Sequence, residues 1–282
     1  MERIKLAIEK AKAGANNVPR LEPVFVPPPV EGLPAGVRGE IAMPAVRDVN
    51  APRTEVVDLN DIHLERHRII AHQKAHPVSW AFDLLRTQIL QKMDEHGWRT
   101  VAITSPTVES GKTLVSINLA ISIAQQTHRT ALLVDFDLRR PRVAASLGLR
   151  REVSLNEVLA GEAELSQALV NPGMERLVIL PTLRPEPKAA EVLASRRVNN
   201  LVTELRNRYA DRTVIIDLPP VLVADDVLAL LPHVDCVLLV VASGGSTEKE
   251  IEESMVRLKG ANLVGVVLNK DDSPAQSGYG YY

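Results

Sequence analysis

The sequence lacks a charge imbalance: Lys+Arg 33 against Asp+Glu 35 leave a formal net charge of -2 over 282 residues. No overall basic field draws it onto DNA, RNA or anionic lipid, so nucleic acid is not expected as a partner. Cysteine is nearly absent. Cys236 stands alone, so neither an intrachain disulfide nor a thiolate metal site or cystine framework can form, and a reducing compartment fits. No uninterrupted apolar run reaches the roughly 18 residues of a membrane span. Met1 to Lys12 alternates charge with small apolar residues instead of building a signal core. The chain is expected to be cytoplasmic, and neither exported nor membrane-spanning by its own means.

Aromatic residues are scarce too, at 3%. Residues 1–60 hold 8 of the 19 prolines and almost nothing aromatic to build a core around, so they read as a linker. Ahead of it, Ile4, Ala7, Ile8 and Ala11 recur at helical spacing and suggest a short amphipathic helix. The compact part is expected over 61–270, followed by a mobile tail over 271–282. Val78 to His96 carries apolar residues at helical spacing, with Gly97 as its stop. Beyond it, short apolar runs recur at Thr100–Thr104, Thr130–Asp135, Leu177–Pro181, Thr213–Asp217, Asp235–Val241 and Leu263–Leu268, separated by helical patterns. Strands that lose the in-out alternation are buried on both faces, which predicts a three-layer α/β sandwich around a mostly parallel sheet. Its ligand site belongs at the carboxyl ends of the strands.

Directly after the first such strand comes Ser105-Pro106-Thr107-Val108-Glu109-Ser110-Gly111-Lys112-Thr113, leading into a helix expected from Leu114 to Gln126. Strand, loop, Gly-Lys-Thr and helix in that order form a phosphate-binding loop. Backbone N–H groups converge on the phosphates at the helix N-terminus, the lysine reaches the outer oxygens, and the hydroxyl holds Mg²⁺. Ser110, Gly111, Lys112, Thr113 and Leu114 are the nucleotide-binding candidates. The motif's first glycine falls on Pro106, which has no N–H, so the loop must enter differently from its commonest form. Two further strands end in acids: Asp135 and Asp137 after Leu132-Leu133-Val134, and Asp217 after Val214-Ile215-Ile216. Singly, each reads as a helix cap. Jointly with Lys112 they form one constellation that can offer Mg²⁺ an outer ligand or take a hydroxyl proton, with Thr113, Asp135 and Asp217 as the metal candidates and Lys112, Asp135 and Asp137 as the catalytic ones.

The loop, "ALLVDFDLRRP" (Ala131 to Pro141), "VIIDLPP" (Val214 to Pro220), "VGVVLNK" (Val264 to Lys270) and the tyrosine-rich end together resemble the bacterial tyrosine kinases, in particular the cytoplasmic autokinases of exopolysaccharide synthesis and export. The resemblance runs over residues 60–282 and makes these motifs Walker A, Walker A′ and Walker B. It implies that Lys112 holds the transferred phosphate, Thr113 the Mg²⁺, Asp135 the place nearest the incoming hydroxyl and Asp137 its neighbour at the metal, with Asp217 the Walker B acid. Arg139 and Arg140 match the family's basic pair. It further implies ATP as phosphate donor, self-association in trans, a separate membrane chain-length-determinant protein as activator and inner-membrane recruiter, and a tyrosine phosphatase as antagonist. Three of the four tyrosines, Tyr279, Tyr281 and Tyr282, lie in the last four residues, and these are the expected phosphoacceptors. Each phosphate adds about -1.5 to -2 charges and would weaken docking at an anionic nucleotide site. The family's ring-forming Glu, Arg, Arg helix pattern falls on Trp80, Asp83 and Arg86, of which only Arg86 fits; Trp80 reads either as a different interface or as a core indole.

Two other readings stand beside the kinase. A dimerising ATPase switch of the partition or division-site type usually carries an additional lysine early in the loop, and residues 106–110 contain none. A non-catalytic nucleotide-binding scaffold for a membrane partner stays open through Pro106. The pairs His63/His67 and His72/His76 share helical spacing, but Glu65 stands one place too late for the zinc-protease motif, and closed zinc sites usually also need a Cys or carboxylate at defined spacing. Asn269-Lys270-Asp271-Asp272 fits the guanine-reading N-K-x-D pattern, yet Asp217-Leu218-Pro219-Pro220 lacks the glycine a GTPase needs there. ATP is therefore preferred, with Asn269 as a contact to the base.

Overall fold

A computed structural model of the chain describes residues 54–271 apart from Thr127. The Ile4–Ala11 helix, the linker up to residue 53 and Tyr279, Tyr281 and Tyr282 lie outside the described residues, whereas residues 55–60, expected as linker, join the compact part: Glu55–Val56 pairs with Val170–Asn171, and Val57 and Leu59 pack against buried side chains. The six apolar runs all become strands, and two dipeptides join them. The strands are β1 (Glu55–Val56), β2 (Thr100–Thr104), β3 (Thr130–Asp135), β4 (Val170–Asn171), β5 (Leu177–Leu180), β6 (Arg212–Asp217), β7 (Cys236–Ala242) and β8 (Leu263–Asn269). They form one sheet in the order β1-β4-β5-β3-β6-β2-β7-β8, parallel throughout except where β4 meets β5.

The continuous apolar character of the central strands follows from this burial. Successive side chains of a strand point to opposite faces. Accordingly Val101, Ile103, Leu133, Ile215, Leu238 and Val240 enter one core, while Ala102, Leu132, Val134, Ile216 and Leu239 enter the other. Each such Val, Leu or Ile removed from water contributes about 1.5–3 kcal/mol. The first core is closed by α1 (Asp61–Arg66), α2 (Ser79–His96), α3 (Lys112–Ala124) and α4 (Val143–Leu147). The second lies under α5 (Leu155–Ala160), α6 (Leu165–Ala168), α7 (Ala189–Leu193), α8 (Arg196–Asn207), α9 (Asp226–Leu230) and α10 (Glu248–Arg257).

Helix α2 ends where expected, on Gly97 in the left-handed conformation. Trp80 is 57% exposed, so it is not a core indole. Arg86 turns inward, bonding Asp83 at 2.7 Å and the Ser122 carbonyl at 3.2 Å and so fastening α2 to α3. Helix α3 starts two residues earlier than expected, which brings Lys112 and Thr113 into its first turn. It is buried almost all round, and its polar positions are each partnered: Asn118 accepts from the Ile70 and Ala71 amides, and Ser122 donates to Asp83. No helix among the described residues is long and apolar enough to cross a membrane.

Candidate active site

Between β2 and α3 the chain must reverse direction within the loop Ser105–Gly111, and it does so through tied-down carbonyls. The Ser105 and Pro106 carbonyls accept from Val221 N at 2.8 Å and Leu222 N at 3.2 Å, while that of Thr107 accepts from the hydroxyls of Ser105 and Ser110. Pro106 therefore costs the loop little, because the peptide it closes is already anchored through its carbonyl. Gly111 closes the loop at φ +89°, and a Cβ there would lie 2.1 Å from Asn269 Nδ2, so only glycine fits. Glu109 also takes a left-handed φ, +64°, without being glycine.

The first turn of α3 then meets the strand tips. Lys112 Nζ lies 2.8 Å from Asp137 Oδ2 and 3.5 Å from Asp217 Oδ2. The Thr113 hydroxyl donates to Asp217 Oδ2 at 2.7 Å, and the Ser116 hydroxyl sits 3.0 Å from Asp217 Oδ1. Both oxygens of Asp217 are thus held by one helix. Asp135 faces Asp217 across the β3–β6 register and is fully buried. Its Oδ2 accepts from the Arg142 and Val143 amides at 3.1 and 3.0 Å, and its Oδ1 from the Asp137 amide at 3.2 Å. It therefore shapes the turn that carries Asp137.

Three buried carboxylates surround one ammonium, and the ionisation reflects it. Burial pushes the Asp135 carboxyl well up, and the Asp217 charge adds to that, with Lys112 and the Val143 amide opposing. Asp217 is likewise raised by burial, against the pull of Lys112 and the Thr113 hydroxyl. Burial works against the charge on Lys112, but Asp217 and Asp137 outweigh it and hold the ammonium above its ordinary range. Lys112 stays charged, and crowding three carboxyls round one ammonium makes Asp135 and Asp217 costlier to ionise than free carboxyls.

A cleft of about 680 Å³ opens over this cluster, lined by Gly111, Lys112, Thr113 and Asp137 and walled by Val108, Glu109, Arg140, Arg142 and Pro220. Of the expected residues, Gly111, Lys112, Thr113, Asp137, Arg139 and Arg140 line it. Ser110 is buried in the loop, Leu114 packs against the first core, and Asp135 and Asp217 lie beneath the floor. Asn269 lies on the far side of the loop, donating from Nδ2 to the Ser110 carbonyl at 2.9 Å. His63 bonds the Ala145 carbonyl and stacks on His67. No group of three or more His, Cys, Asp or Glu able to hold a metal occurs among the described residues. Sequence reasoning missed Ser116, although its i+3 spacing from Thr113 puts both hydroxyls on one helix face. It also missed Ser105 and Glu109, for which spacing gives no signal.

The family description "CobQ/CobB/MinD/ParA nucleotide binding domain" matches residues 101–279. The tyrosine-protein kinase CpsD of Streptococcus pneumoniae serotype 4 is 33% identical over 177 residues, which cover 62% of this chain and 77% of CpsD. The chain belongs to this nucleotide-binding family and to the bacterial tyrosine-protein kinases. Tyrosine-protein kinase wzc of Salmonella typhi is 31% identical over 70% of the chain, but the match spans only 28% of that longer protein. The solved kinase domain of Escherichia coli tyrosine kinase ETK superposes with a TM-score of 0.69 at 30% identity, covering 81% of this chain and 93% of that domain.

Proposed function

We propose that this chain is an ATP-dependent protein-tyrosine autokinase that modifies Tyr279, Tyr281 and Tyr282 of a second copy. The single observation that carries the reading is the charged Lys112 held among three carboxylates on the floor of a cleft rimmed by arginines. A polyphosphate satisfies both needs at once, taking the lysine from Asp137 and the N–H groups at the head of α3. The donor set suits Mg²⁺, which keeps several waters and binds through one or two carboxylates plus substrate phosphates, so no all-protein cage is required. Thr113 and Asp217, with their oxygens 2.7 Å apart, would hold it. When bound, it would neutralise charge on the phosphate oxygens.

In the reaction the phenol oxygen attacks the γ-phosphorus in line, the bond to the bridging oxygen breaks, and ADP leaves. Lys112 offsets the charge that develops on the transferring group. Asp137, released by Lys112, lines the cleft and takes the phenol proton. Asp135 orients the turn that presents Asp137, and its own oxygens stay on backbone amides. Regulation of exopolysaccharide synthesis or export, activation and inner-membrane recruitment by a separate chain-length-determinant protein, and reversal by a tyrosine phosphatase complete the proposal.

The test mixes two chains with γ-labelled ATP and Mg²⁺: Lys112→Met with an intact tail, and an otherwise unaltered chain lacking residues 279–282. Label is expected on tyrosines of the Lys112→Met chain only, and neither chain alone becomes labelled. Turnover of ATP without labelled protein would favour the switch, and binding without turnover the scaffold.

A further inference from the structure

We propose that Asn269 is a positioning residue of the phosphate loop, holding the Gly111 N–H aimed into the cleft. The inference rests on the reading of the cleft as a phosphate site. In a trans peptide the carbonyl of one residue and the N–H of the next point in opposite directions. The Ser110 carbonyl is fixed on the outer side of the loop by Asn269 Nδ2 at 2.9 Å. The N–H of Gly111 in the same peptide plane therefore points the other way, and the cleft is lined by Gly111 but by neither Ser110 nor Asn269.

Without this hydrogen bond, Gly111 would be the weak point of the loop. A glycine at φ +89° is free to let the 110–111 peptide turn over, and a turned peptide would present the Ser110 carbonyl to the phosphates. Asn269 is well placed to prevent this, because it is itself anchored. It ends β8, and its carbonyl accepts from Ser243 N at 2.8 Å, next to its pairing with Ala242. The contact is also close: a Cβ on residue 111 would meet Asn269 Nδ2 at 2.1 Å and Cγ at 3.4 Å. Gly111 and Asn269 thus form one fitted pair, joining the loop to the last strand of the sheet.

Tripolyphosphate, which has no base, separates the two roles of Asn269. Calorimetric binding of ATP and of tripolyphosphate, each with Mg²⁺, is measured on the full chain and on Asn269→Asp, which keeps the size but replaces the donor by a second acceptor. Affinity for both ligands is expected to fall by the same factor, about tenfold for the loss of one well-aimed donor. Gly111→Ala, which displaces the amide, is expected to reproduce the equal loss. Should Asn269→Asp fail to fold, Asn269→Ser carries the same expectation without burying a charge. A loss confined to ATP would overturn the proposal in favour of a base contact, and unchanged affinity for both ligands would overturn it outright. If the unaltered chain bound neither ligand, the phosphate-site reading itself would fall.

Discussion

Two carboxylate nests sit at opposite ends of the same sheet, and they are built differently. At the amino ends, Asp235 Oδ2 accepts from the Arg99 and Thr100 amides and the Thr100 hydroxyl at 2.9–3.0 Å, while Oδ1 pairs with Arg206 at 2.6 Å. One acid meets one cation and three donors, and nothing is left over. At the carboxyl ends, Asp135, Asp137 and Asp217 share the single ammonium of Lys112. A balanced nest only ties the strands β2 and β7 to α8. The unbalanced one holds more carboxyls than its one cation can pair, beside a cleft open to solvent, and a divalent cation there would favour their ionised forms. Desolvated charges are tolerated cheaply only when paired, so the excess marks the end of the sheet where a ligand belongs.

The largest expected effect breaks the balanced nest. Asp235→Ala leaves two amides, a hydroxyl and Arg206 without their acceptor and should cost about 3 kcal/mol. For a folded unit of this size that lowers Tm by about 6–12 °C in a thermal melt. Tripolyphosphate affinity of the surviving folded chain should stay unchanged, because the site lies at the other end of the strands.

At the unbalanced nest the sign reverses. A carboxyl raised on folding binds more protons folded than unfolded, so its contribution to stability falls as the pH rises from its unfolded value near 4 through its folded one. Asp217→Asn should therefore lose less stability than the unaltered chain as the pH is raised over that range, measured by denaturant titration. Transfer to tyrosine should collapse in the same protein. Loss of stability at every pH would mean that Asp217 serves the fold and not the ligand.

A smaller effect tests the loop beside the unbalanced nest. Glu109 at φ +64° is strained by about 1–2 kcal/mol. Glu109→Gly removes that strain but adds unfolded-state freedom, for a net gain of about 0.5 kcal/mol in denaturant unfolding.

The same contrast governs what could be read in the residues. The central strands were legible because burial on both faces leaves an uninterrupted apolar run. Two-residue β1 and β4 carry no such run. Lys112, Thr113, Asp137 and Asp217 were legible because each stands next to a strand or helix signal in the chain. The start of α3 was misplaced by two residues because a left-handed Gly111 lets the helix begin at Lys112. Trp80 could not be assigned because α2 has apolar residues on its solvent side as well, Leu84 among them. Contacts between distant segments were invisible: Asn269 meets Ser110, and Asp135 spends its oxygens on amides that periodicity cannot reveal. Asp235 was passed over as a strand residue, although it forms the firmer of the two nests.

The central claim is that the charge-rich end of the sheet hands a phosphate to tyrosine, and the intact mass of the purified chain after incubation with ATP and Mg²⁺ tests it most directly. The account predicts mass steps of one phosphate, mapping by fragmentation to Tyr279, Tyr281 and Tyr282 and missing from Lys112→Met. An unchanged mass while ATP is converted to ADP would contradict it.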